Sequence, residues 1–72
     1  MTPKELGKTV REVRRELKLR QDQLADASNV GVRFIVELEA GKPTAQLGKA
    51  LAVLAALGCR LVIQPPSRLN TQ

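Results

Sequence analysis

The sequence predicts an all-α fold, a bundle of about four helices, with one short C-terminal β-strand that pairs across a homodimer. Three observations predict it. An apolar stripe at helical spacing follows a helix-start signature near residue 2. Asn, Gly and Pro then punctuate the chain into three further helix-length segments. The last apolar run is β-type and meets no second strand candidate in the chain, so its backbone groups need an outside partner.

The first helix is expected over residues 3–17. Thr2 is a good N-cap, Pro3 fits the first helical position, and Glu5 completes a capping box. Leu6, Val10, Val13 and Leu17 form its apolar stripe. Residues 1–20 hold seven basic and three acidic residues, net +4, so most of the positive charge of the chain sits there. A short helix over 21–28 turns Leu24 and Ala25 inward. Asn29-Val30-Gly31 breaks it, since Asn and Gly tolerate turn conformations. A third helix spans about 32–40, with Ile35 and Leu38 inward, stopped by Gly41 and Pro43. Thr44 is the expected cap of a fourth helix that runs to Leu57 and closes at Gly58. Between Leu47 and Leu57 only Gly48 and Lys49 interrupt the apolar residues, so a spare face is expected to meet a second subunit. The strand is expected over 59–64, before Pro65-Pro66, and pairs with its own copy about a two-fold axis. Residues 1–64 thus form one domain, and 65–72 are expected to be a mobile tail.

Composition narrows the function classes. Twelve Lys+Arg against seven Asp+Glu give +5, with a pI of about 10.2, a balance suited to a polyanionic partner. There is no His, and Cys59 is the sole cysteine. A disulfide framework, a Cys/His metal site and histidine-based catalysis are therefore not expected, nor is an enzyme or a cofactor. Phe34 is the only aromatic, too few for a stacking platform on single strands. No uncharged apolar stretch approaches membrane-spanning length, and charges interrupt the N-terminus where a signal peptide would need an apolar core. A cytoplasmic protein with no membrane contact is expected.

Two short helices joined across Asn29-Val30-Gly31, resting on a basic helix, describe a helix-turn-helix. The second helix of such a pair presents its N-terminal end to the major groove of duplex DNA. The run from Leu19 to Lys42 resembles the phage-repressor-type (Cro/C1, Xre) helix-turn-helix, above all in Gln21, Leu24-Ala25, Val30, Ile35 and Glu39-Ala40-Gly41-Lys42. The resemblance covers residues 6–58 and implies a lambda-repressor-like bundle. Ala56-Leu57-Gly58 and the following run are similar to the HipB-like antitoxins, small dimeric repressors that share a C-terminal β-ribbon and pair with a HipA kinase toxin.

The resemblance implies roles for particular residues. Val32, Arg33, Val36 and Glu37 would face base edges. Arg33 is suited to guanine O6 and N7, the valines to thymine methyls, and Glu37 to a cytosine amino group. Arg20, Gln21, Gly31 and Lys42 would contact phosphates. Arg20 stands where the family usually has a Thr or Ser cap, Asn29 where it has glycine, and Gly31 where it often has Ser. Arg14 and Glu39 match positions that form an internal ion pair. Leu54, Leu57, Cys59, Leu61, Val62 and Ile63 would form the dimer interface. Phe34 is expected to pack inside, and Cys59 to act as a small hydrophobe near the dimer seam. Lys8, Arg11, Arg15 and Lys18 are either a solvated face or a supplement to phosphate binding. The implied partners are a palindromic double-stranded operator with half-sites about 34 Å apart, a second copy, and a HipA-like serine/threonine kinase toxin. The implied function is repression of a shared operon and neutralisation of that toxin. A stand-alone Xre-type regulator, or a protein-interaction module using the helix-turn-helix only as scaffold, are the alternatives.

Overall fold

Four helices, α1 (Pro3–Glu16), α2 (Gln21–Ser28), α3 (Val32–Glu39) and α4 (Leu47–Ala56), make up the computed structural model, which describes residues 1–67. Helix α1 starts as its sequence dictates. Glu5 N–H donates to Thr2 Oγ1 at 3.1 Å, and Thr2 N–H donates to Glu5 Oε1 at 2.7 Å. The bond from the Thr2 backbone holds the Glu5 carboxyl below its usual range. Helix α2 has half of such a box: Gln23 accepts from Arg20 N–H at 2.8 Å, while the guanidinium of Arg20 has no acceptor to return.

All four helices end alike. A left-handed residue closes each, at Lys18 (φ 59°), Gly41 (φ 87°) and Gly58 (φ 76°) just after the cap and at Asn29 (φ 58°) as the cap itself. The next N–H then reaches back five residues, as in Leu19 to the Arg14 carbonyl at 3.1 Å and Cys59 to that of Leu54 at 2.8 Å. This is the Schellman closure. Asn and Gly accept the conformation readily, which is why those stops are visible in the sequence; Lys18 carries the strain of a Cβ there.

Helix α2 packs on α3 and α4, and α1 lies against α3. The core is Val10, Leu24, Ala25, Ile35, Leu38, Ala50, Val53, Leu54 and Leu57. Leu6, Val13, Leu19, Val30 and Phe34 pack around it. Two glycines set the approach of α1 to the end of α3. A Cβ on Gly7 would strike the backbone oxygens of Leu38 and Glu39, the latter at 2.8 Å. Gly41, left-handed, sits where a Cβ would lie 2.7 Å from Lys4 Cγ.

Several expectations need correction. Leu17 is the C-cap of α1 and is half exposed, because the Schellman turn at Lys18 carries the chain away from the stripe. Helix α4 begins at Leu47, with Gln46 as its N-cap, and Thr44 caps nothing. Ala45 N–H folds back to the Lys42 carbonyl at 3.4 Å, which places Thr44 inside a turn. Leu54 and Leu57, expected on a dimer face, are instead packed inside the single chain, 5% and 7% exposed. With Ala50 and Val53 they form the i, i+3, i+4, i+7 stripe of α4, which faces α2. The spare face of α4 is instead Leu47, Leu51, Ala52 and Ala55, all exposed. The run 59–64, expected to pair with a second copy, carries no helix and no ladder in the single chain, and Cys59 N–H bonds back to the Leu54 carbonyl. Most of the expected tail, 68–72, lies outside the described residues.

Candidate nucleic-acid interface

Helix α3 owes its position to three attachments at its C-terminal end. Arg14 Nε donates to Glu39 Oε2 at 2.6 Å, and Arg14 Nη2 to Glu39 Oε1 at 3.0 Å. Arg14 Nη1 donates to the Leu19 carbonyl at 2.8 Å, tying in the α1–α2 turn. Gln21 Nε2 donates to Glu39 Oε1 at 3.2 Å, adding the start of α2. Both charges are largely buried, with side chains 11% and 5% exposed. The bidentate bond to Glu39 raises the affinity of the Arg14 guanidinium for its proton, against the pull of burial. The backbone of α3 adds the Gly7 contact described above. No sequence signal marked the Gln21 bond.

The other end of α3 is free. Gly31 caps it in an extended conformation (φ −72°, ψ 151°), offers no side-chain bond and is exposed, with open space where a Cβ would be. Backbone can therefore approach another surface there. Val32 and Val36 are 48% and 45% exposed although apolar, and Arg33 stands between them with an 88% exposed side chain. One ridge of α3 thus points outward while Ile35 and Leu38 are buried, and Phe34 packs at the core edge with Lys49 Nζ 5.9 Å from its ring. An exposed ridge at the N-terminal end of the second helix is what a major groove accepts.

The four residues expected at bases, Val32, Arg33, Val36 and Glu37, lie on this ridge, but Glu37 has other commitments. Lys42 Nζ donates to its Oε1 at 3.1 Å, and Arg33 Nε lies 3.5 Å from its Oε2. The Lys42 bond, helped by Arg33, holds the Glu37 carboxyl below its usual range. The carboxylate thus masks two of the expected DNA-contacting cations. Glu37→Gln is expected to tighten binding to a scrambled duplex roughly threefold or more at low salt, by freeing both cations. Fluorescence anisotropy checks this; unchanged or weaker binding would show that the masking has no consequence.

Of the expected phosphate contacts, Gly31 is free and the other three are engaged. Arg20 pairs with Asp22 at 3.0 Å on the exposed surface, and the bond holds the Asp22 carboxyl down. Gln21 is taken by Glu39 and Lys42 by Glu37. The exposed pairs of Arg20 and Lys42 exchange readily with a phosphate, since they contribute little to stability, whereas the Gln21 bond to Glu39 is partly buried. The apolar residues expected at a dimer seam divide. Cys59 is partly buried against the core, while Leu61, Val62 and Ile63 are 44%, 67% and 84% exposed. Among the described residues no helix is long and apolar enough to cross a membrane.

The helix-turn-helix family matches residues 10–64, which takes in all of α2, α3 and α4. An "Uncharacterized HTH-type transcriptional regulator y4mF" of Sinorhizobium fredii (strain NBRC 101917 / NGR234) is 60% identical over 65 residues, 90% of this chain and 86% of the relative. No solved structure matches. Family match and relative agree, and the chain belongs to the Xre/Cro–C1-type helix-turn-helix family of DNA-binding transcriptional regulators.

Proposed function

We propose that this protein is a cytoplasmic, non-enzymatic repressor that binds a palindromic operator as a homodimer. The α3 ridge of Val32, Arg33 and Val36 reads the major groove of each half-site, with Gly31 letting the backbone close on a phosphate. The exposed Val32 and Val36 beside Arg33 carry this reading, because a monomeric bundle gains nothing by leaving that ridge apolar. Dimerisation runs through residues 59–64, whose three exposed aliphatic side chains and, beyond Cys59, unladdered backbone call for a second strand. The protein is the antitoxin of a HipBA-like pair, restraining a HipA-like serine/threonine kinase and repressing the shared operon. This finer reading rests on the sequence resemblance at 56–64. A stand-alone regulator accommodates the printed name of the relative equally well.

Fluorescence anisotropy against a duplex of the protein's own upstream region, beside a scrambled duplex, tests the reading. Saturation at two subunits per operator and a clear preference for it are expected. Val32→Ala with Arg33→Ala should cut that preference about 10- to 100-fold, the worth of one good base contact or more. Equal binding of the wild type to both duplexes would overturn sequence-specific repression. A HipA-like kinase that stays active in a stoichiometric mixture would leave the stand-alone regulator.

A further inference from the structure

A groove of about 430 Å³ runs beside the recognition helix, between α1, the start of α2 and the outer side of α3. Arg11, Arg15 and Gln21 line one side, with Val36, Glu39 and Ala40 on the other. Arg11 and Arg15 stand one turn apart on α1, so both guanidiniums project from one face. Their circumstances differ from those of the four cations around α3 that are ion-paired. Arg14 is held by Glu39, Arg20 by Asp22, and Arg33 and Lys42 by Glu37. Among the described residues neither Arg11 nor Arg15 has a carboxylate within salt-bridge distance, and both are exposed. The one carboxylate of the groove, Glu39, is already neutralised by Arg14.

We infer that Arg11 and Arg15 form a phosphodiester clamp on the DNA strand that borders the groove read by α3. The inference rests on the proposed reading that α3 enters the major groove through Val32, Arg33 and Val36. The groove shares Val36 with that ridge, so DNA seated on α3 brings one sugar–phosphate strand along the α1 side. Two planar guanidiniums spaced by one helical turn suit anionic oxygens, and nothing internal has to be displaced for them to bind. The clamp grips either sequence alike, because phosphates carry no base identity. It thus supplies affinity, while the α3 ridge supplies selection.

The test compares the full-length wild type, Arg11→Gln/Arg15→Gln, and the charge-matched control Lys8→Gln/Lys18→Gln, whose side chains do not line the groove. Anisotropy titrations use the upstream duplex and the scrambled duplex over a series of salt concentrations. Each lost phosphate contact lowers the slope of log K against log salt by about 0.9. The clamp variant should lose close to two units of slope per bound subunit, weaken on both duplexes about tenfold or more at low salt, and keep its operator preference. The control should change the slope by much less. A clamp variant with the wild-type slope, or a control with an equal loss, overturns the clamp while a preserved operator preference leaves the reading of α3 intact. Loss of preference in the clamp variant with an unchanged slope would also overturn it, assigning these arginines to base readout. A wild type that binds neither duplex removes the reading of α3 itself. Circular dichroism melts of all three proteins confirm that the substitutions leave the fold in place.

Discussion

Gly7→Ala should lower the melting temperature by about 10 °C or more, although alanine is the better helix former. In an isolated helix the change would gain about 1 kcal/mol. Here the added Cβ meets the backbone oxygens of Leu38 and Glu39, atoms that cannot rotate out of the way. Helix α1 must withdraw from the end of α3, and overpacking of this kind costs about 1–3 kcal/mol, occasionally more. Withdrawal also lengthens the Arg14–Glu39 bonds, so the loss lies at the upper end. A domain of this size loses roughly 4–8 °C for each kcal/mol. A thermal melt followed by circular dichroism at 222 nm reads the effect directly. An unchanged or raised midpoint would mean that α1 and α3 are not in the contact described.

Arg14→Ala should be as damaging, for a different reason. It leaves the Glu39 carboxylate, 5% exposed, without its cation, and the Leu19 carbonyl without its donor. Removing one partner of a buried pair typically costs about 3–5 kcal/mol, much of it the desolvation of the charge left behind. Arg14→Met combined with Glu39→Leu should therefore be more stable than Arg14→Ala alone, because no charge is stranded. Denaturant titration of the single and double variants decides. If the double variant is the less stable, the pair contributes net attraction rather than repairing a burial that it creates. Either variant should also blur operator recognition, since Glu39 joins α1, the α1–α2 turn and α2 to the recognition helix.

Much of this organisation was legible in the sequence, for identifiable physical reasons. The capping box at Thr2 and Glu5 uses local bonds, and local bonds follow from spacing. The boundaries of α2 and α3 were legible because Asn29 and Gly41 are residues that accept the left-handed stop. Thr44 misled because a good cap residue is only a cap if the chain before it is free to turn there, and Ala45 is drawn back to Lys42. The face of α4 could not be assigned from composition. Where nearly every residue is apolar, periodicity carries no information, and only the packing of α2 decides that Leu54 and Leu57 are inside. At the site, the ridge on α3 followed from the motif. The engagement of Glu37 by Lys42 did not, because it joins the recognition helix to the residue beyond its Schellman turn, whereas the i,i+4 spacing of Arg33 and Glu37 was there to read.

The polar attachments of α3 are all at one end, and Ile35 pins its middle in the core. Gly7, Arg14 and Gln21 grip Leu38 and Glu39, whereas Gly31 and Val32 touch little. The recognition helix is thus a cantilever, held at its root and along its inner face, with only the outer side of its reading tip, Gly31 to Arg33, unsupported. Small rotations at the root are magnified along its length, while the tip retains compliance of its own. Such a beam can settle into grooves of slightly different width without disturbing the core, and anything that shifts α1 steers the tip.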